Sequence, residues 1–289
     1  MNTIIHNGTC TMHCTLLEDI RISKAAGYDG IEIIGSKLYR LLDQGYDLNF
    51  VRDRLAGFPV PAIGFVPDIE RRKPDEYNAL LEEAERMFSI AAQLGSEFVE
   101  ILTGPIGPGL GETGGYQGLI GCPWEEVLEV TARNLKELSR IAATHDVKLY
   151  LEPLAWAPLH TLDQSLQLLD IAGCDNVGMV IDFWHLWVNG TTAEDIAKVD
   201  PDRIYGVHFC DSIPPPEGKP ILHSLREVWT GGGHIPLQDW IDAILSTGYN
   251  GWWSAEMFAP QYWERNPEHV ARLLRENLQI MIEASRGRG

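Results

Sequence analysis

The chain has 289 residues, 45% hydrophobic and 22% charged, with 41 acidic side chains against 23 basic ones and a formal net charge of -18. That length supports one large buried core. The acidic balance repels phosphate backbones and anionic membrane faces, which argues against nucleic acid and membrane partners.

In chain order, short β-rich apolar runs alternate with longer amphipathic stretches. Strands are predicted at 3–7, 30–34, 60–65, 98–102, 148–151, 177–181, 204–207 and 252–255. Helices are predicted at 16–26, 48–56, 74–94, 124–145, 162–172, 193–199, 237–246 and 267–284. The stretch 74–94 shows the reasoning. Leu80, Leu81, Ala84, Met87, Phe88, Ile90 and Ala91 recur at three- and four-residue spacing, with Glu82, Glu83 and Arg86 between them. Pro74 suits a first helical turn and Gly95 a left-handed stop.

The helix endings AAGYDG, AQLGSE, IAGCDN and STGYNG repeat one phrase in which a glycine closes the helix just before the next strand. Eight strand–helix units in alternation predict an α/β fold, a (β/α)8 TIM barrel spanning 1–289 as a single domain. An open doubly wound sheet also alternates, but no G-x-G-x-x-G follows the first strand.

The opening MNTIIHNGTC lacks the basic-then-apolar order of a secretory signal, and no stretch approaches the roughly 20 apolar residues that span a bilayer. Five cysteines without a dense framework fit reduced thiols, so a cytoplasmic location is expected. Cys10 and Cys14 have no second pair at finger-like spacing and read as ordinary thiols.

Four polar residues close four consecutive predicted strands. Glu152 ends KLYL, Asp182 ends VGMVI, His208 ends IYGV and Glu256 ends WWSA. Strand C-termini of a barrel converge on its mouth, so these side chains are expected to meet as metal ligands. Three carboxylates and one imidazole suit Mn2+, Mg2+ or Co2+. Any one such acid alone reads more often as the N-cap of the next helix or as a surface residue; the regular placement of all four points to a shared centre.

His185, three residues beyond Asp182, is expected to contact a substrate oxygen, and Arg226 to hold a hydroxyl, carboxylate or phosphate. Trp156 is the candidate pocket wall, while other aromatics near these strand ends read as core. His6, His13 and His160 lie near strand ends as possible extra ligands, and His223 and His234 share the loop of Arg226. The long segments 104–123 and 211–235 follow strands four and seven, on the face where a lid would cover a barrel site.

The segments LYLEP (149–153), VIDFWH (180–185), VHFCD (207–211) and SAEMF (254–258) resemble the signature stretches of the xylose isomerase-like barrel superfamily. The likeness runs over the whole chain and is nearest to the sugar isomerase and epimerase branch, with ketose 3-epimerases and inosose dehydratases. It implies one Mn2+ or similar ion on Glu152, Asp182, His208 and Glu256, with Glu152 and Glu256 doubling as acid/base groups on opposite faces of the substrate. It further implies a small sugar-like substrate and a homo-oligomer.

In the epimerase branch an arginine follows the ligand histidine within a few residues; here Arg226 comes much later in an expanded loop, which leaves room for a different or larger substrate. The expected chemistry is proton transfer through a cis-enediolate, giving epimerisation or isomerisation. Elimination is the alternative outcome, as in an inosose dehydratase or a 3-keto-glycoside lyase that works in a hetero-complex with a small second subunit. Two further readings come from other classes. An endonuclease IV-like enzyme would want more histidines and a basic track, and a non-catalytic sugar-binding barrel would need no metal.

Overall fold

The structure is a computed structural model and describes residues 3–106 and 118–287. Eight strands form a closed parallel barrel in sequential order: β1 (Thr3–Asn7), β2 (Gly30–Ile34), β3 (Ala62–Val66), β4 (Phe98–Leu102), β5 (Lys148–Glu152), β6 (Val177–Asp182), β7 (Ile204–Phe209) and β8 (Trp252–Ala255). The β1–β8 pairing from Thr3↔Trp252 to His6↔Ala255 closes the ring.

The helices are α1 (Leu16–Ala25), α2 (Gly35–Asp43), α3 (Leu48–Leu55), α4 (Pro74–Leu94), α5 (Trp124–Thr144), α6 (Leu162–Ala172), α7 (Phe183–Trp187), α8 (Ala193–Ile196), α9 (Leu237–Ser246), α10 (Pro260–Trp263) and α11 (Pro267–Arg286). Among the described residues, no helix is long and apolar enough to cross a membrane.

Alternation along each strand sorts the side chains. Ile31, Ile33, Ile63, Val99, Ile101, Leu149, Leu151, Ile181 and Val207 point outward and are buried under the helices in one continuous core. Each such side chain contributes about 1.5–3 kcal/mol by leaving water. Inward positions form a separate apolar plug of Ile5, Ala62, Tyr150, Val180 and Trp252. Burial on both faces explains why the strands read as nearly continuous apolar runs. Towards the C-terminal mouth the inward positions turn polar, at Glu32, Glu100, Glu152, Asp182, His208 and Glu256, all of them buried.

The helix-ending glycines behave as their sequence predicts. Gly27, Gly95, Gly173 and Gly248 have φ of 77°, 73°, 59° and 93°. Three details differ from the sequence reading. β3 begins at Ala62 because Pro61 has no N–H to donate to a ladder. The stretch 35–43 is helical, burying Leu38 and Leu41 on one face, where no element was expected. The helix expected over 193–199 ends at Ile196, and the short α7 and α10 occupy stretches read as loop.

Candidate active site

Glu152 and Asp182 are the last residues of β5 and β6, His208 is the last but one of β7, and Glu256 follows β8 directly. The β6–β7 ladder sets Asp182 level with His208, and the Glu256 N–H donates to the Phe209 carbonyl of β7 at 3.0 Å. Register alone therefore brings the set together. One ligand atom from each of the four lies within 4.8 Å of the others, and all four residues are buried.

Burial and neighbouring acids make Asp182 and Glu256 costly to ionise. Burial, and then Glu152, push Asp182 up to about 6. Glu256 is pushed up to about 8, by burial above all; Arg226 offsets part of this and Glu152 adds to it. Burial opposes a charge on His208, yet Glu32 and Glu152 overcome it and hold the imidazole well above its ordinary value. Three carboxyl groups and one imidazole within reach of a single point fit a divalent cation, whose charge would offset their mutual repulsion.

His208 is oriented from beneath. Its Nδ1 faces Glu152 Oε1 at 2.8 Å and Asp182 Oδ2 at 4.0 Å, while Nε2 lies 3.0 Å from Glu32 Oε1. Glu32 also accepts from Tyr150 Oη and from Asn7 Nδ2, each at 2.7 Å. Burial works against the Glu32 charge, but His208 and these hydrogen bonds hold the carboxylate below its ordinary range. A carboxylate that engages one ring nitrogen fixes which nitrogen faces the centre.

Asp182 combines the two roles between which the sequence left a choice. Its Oδ1 accepts the His185 N–H at 2.6 Å and caps α7, while Oδ2 faces the cluster. His185 Nδ1 in turn accepts the Ala155 N–H at 2.9 Å, which leaves the ring proton on Nε2. Burial, and then Arg226, keep this imidazole neutral, well below its ordinary value.

Arg226 reaches the site from its distant loop. Its Nη1 donates to Glu256 Oε2 at 2.9 Å, and its guanidinium lies over Trp184 and Phe258 at 4.4 and 3.9 Å from the ring centres. His223 sits 3.1 Å from Arg226 Nη2, and burial and Arg226 push it down to about 4. Trp156 donates to the Pro105 carbonyl and packs against His185 and His223, with ring centres 5.4 and 4.7 Å apart.

One side chain ties the Arg226 loop down. Asp211 accepts the backbone N–H groups of Ser212, Gly231, Gly233 and Ile235 at 2.8, 2.9, 2.8 and 3.2 Å. Gly233 comes so close that a Cβ there would stand 2.3 Å from Asp211 Oδ1. Of the other segment expected to form a lid, 104–123, residues 107–117 lie outside the described residues.

The site opens into a cavity of about 240 Å³. Trp156, His185, Arg226, Asn7, Phe65 and Glu100 are among the residues that line it. The remaining histidines do not join it. His13 and His234 are exposed, His160 bonds to the carbonyls of Ala157 and Pro158, and His6 is buried against Thr11. The five cysteines are free thiols.

Sequence reasoning missed Glu32 and Glu100. Each is a lone carboxylate inside an apolar strand (GIEII and FVEIL), a place where unpaired acids rarely occur, and that was the available signal. Burial, and then Glu152, push Glu100 well above the usual carboxylate range.

The profile described as xylose isomerase-like TIM barrel matches residues 20–281. An inosose isomerase of Bacillus licheniformis is 25% identical over 280 residues, 96% of each chain. One of Bacillus velezensis is 29% identical over 160 residues, 55% of this chain and 56% of that protein, so the matched segment spans about half the length of that relative. A 3-dehydroshikimate dehydratase of Pseudomonas aeruginosa is 26% identical over 86% of this chain and 37% of its own length.

Among solved structures, the IolI protein with a bound zinc atom superposes with a TM-score of 0.87 at 23% identity, covering 98% of this chain and 99% of that one. An L-ribulose 3-epimerase superposes at 0.71 and 18% identity, covering 100% and 97%. At those identities the two structures speak for the fold alone.

Proposed function

Since the chain belongs to the xylose isomerase-like TIM barrel family, we propose that it is a divalent-metal-dependent isomerase or epimerase acting on a ketose or keto-sugar. The observation that carries this reading is the buried convergence of Glu152, Asp182, His208 and Glu256 within 4.8 Å at the mouth of the barrel. Relatives named as inosose isomerases support the substrate class. Mn2+ is the ion we assign; the donor set also accepts Mg2+ or Co2+.

Bound there, the cation would polarise the substrate carbonyl and balance the charge of an enediolate. The protein supplies the proton chemistry. The Glu152 carboxylate removes the proton from the carbon next to the carbonyl. Glu256, as the second acid/base group, returns one to the enediolate. Return to the same carbon inverts it, and return to its neighbour moves the carbonyl. Arg226 fixes Glu256 and balances its charge when the proton leaves. The His185 Nε2–H donates to a substrate oxygen, and Trp156 covers an apolar face of the carbon skeleton.

Elimination of a β-substituent is the second reading, because it shares the first proton transfer. Relatives named as 3-dehydroshikimate dehydratases favour it, and the aromatic mouth at Trp156, Trp184 and Phe258 suits a bulkier keto-glycoside. A non-catalytic sugar-binding barrel would have no use for three carboxyl groups buried together at high cost.

The test incubates Mn2+-loaded protein in D2O with ketoses, inososes and 3-keto-glycosides. We expect deuterium at one carbon of a substrate and, for elimination, release of water or an alcohol. Metal-loaded protein that exchanges no proton in any of them overturns the reading.

A further inference from the structure

The cavity is also lined by a carboxyl group that the reaction above does not use. Glu100 lies mid-strand in β4, paired with Tyr150 of β5, and lines the cavity. It is only 7% exposed. Among the described residues, no N–H or O–H of the protein donates to it. Glu32, at a similar depth, is satisfied by Tyr150, Asn7 and His208.

The neighbouring strand is shaped around this side chain. A Cβ on Gly64 of β3 would stand 2.2 Å from Glu100 Oε2 and 3.3 Å from its carboxyl carbon, so any other residue would push the Glu100 carboxyl group from this position. Burying a carboxyl group without a partner costs stability, and a leucine of similar size would suit an apolar barrel interior better. The residue is therefore explained by something that enters the cavity.

Resting on the sugar reading above, we propose that Glu100 is a substrate-binding residue that hydrogen-bonds a hydroxyl group of a polyhydroxy-ketone at the floor of the cavity. Glu100 is set apart from the cation. The four-residue group within mutual ligand distance does not include it. The site thus grips its substrate at two ends, with the carbonyl end under His185 and Arg226 and a hydroxyl end on β4. The ligand class is a polyol carrying a hydroxyl away from the reacting carbon; a substrate lacking it leaves Glu100 unpaired.

The test uses Glu100→Gln and Glu100→Leu in Mn2+-loaded protein, with an inosose as the substrate probe and myo-inositol as a polyol without a carbonyl. Polyol binding is followed by tryptophan fluorescence, since Trp156 shares the cavity. We expect Glu100→Leu to weaken inosose and myo-inositol binding about 10- to 100-fold, and Glu100→Gln about tenfold or less. Mn2+ affinity should match wild type in both variants, and Glu100→Leu should melt at or above the wild-type temperature.

Unchanged polyol binding in Glu100→Leu overturns the proposal. So does a parallel loss of Mn2+ affinity, which would place Glu100 in the metal centre. A wild-type protein that binds neither polyol overturns it too. Binding that depends on Glu100 without any deuterium exchange sinks the assigned reaction and leaves this residue's role standing.

Discussion

The two halves of the barrel carry acids in different ways. In β5 to β8 every strand delivers one polar side chain within one residue of its end, and the four lie close together. In β1 to β4 the polar inward residues Glu32 and Glu100 sit deeper in their strands, and neither belongs to that group. In the reading proposed above, strand ends would supply ligands to a cation, whereas mid-strand carboxylates would support a ligand or meet what enters the cavity. The chemistry of one half depends on geometry maintained by the other.

The hardest blow to this division falls on the first half named. Glu152→Gln should reduce deuterium exchange by about 10³-fold while preserving the fold. Unchanged exchange would remove Glu152 from the base role, and unfolding would show the residue to be structural. Next in size, Glu32→Gln should weaken Mn2+ binding about 10- to 100-fold by freeing the His208 ring. Competition with a chelating dye measures it, and wild-type affinity would leave the β1–β4 half without influence on the centre.

A third comparison is acid stability. Burial, with Lys37 adding to it, lowers His6 to about 3 from 6.5, so the folded chain binds fewer protons than the unfolded chain between those values. Its contribution is complete above pH 6.5 and declines as pH falls towards 3, by up to about tenfold in the folding equilibrium per pH unit. Urea midpoints against pH should show a slope that His6→Asn reduces. The smallest effect is on the metal. Glu256 must release the proton it holds at about 8, so Mn2+ affinity should rise about fivefold from pH 7 to pH 8, and a flat profile would contradict it.

The sequence made the barrel legible through its repeated strand, helix and closing glycine. It also pointed to the quartet, because Glu152, Asp182, His208 and Glu256 each interrupt an apolar run at the same place in the repeat. The reach of Arg226 was not legible, since it depends on how a long loop doubles back onto Trp184 and Phe258. Glu32 and Glu100 were hidden for another reason. Their meaning lies in strand register, which sets one beside Tyr150 and His208 and the other beside Gly64, and no local pattern encodes that pairing.

The Asp211 clasp has a kinetic consequence. Four amide hydrogens drawn onto one carboxylate present Arg226 in position before any ligand arrives, so capture involves no separate ordering step. Stopped-flow mixing with a polyol should then show a single phase whose rate grows linearly with concentration. With Asp211→Ala the arginine must be recruited after encounter, and the same trace should acquire a slower phase that levels off.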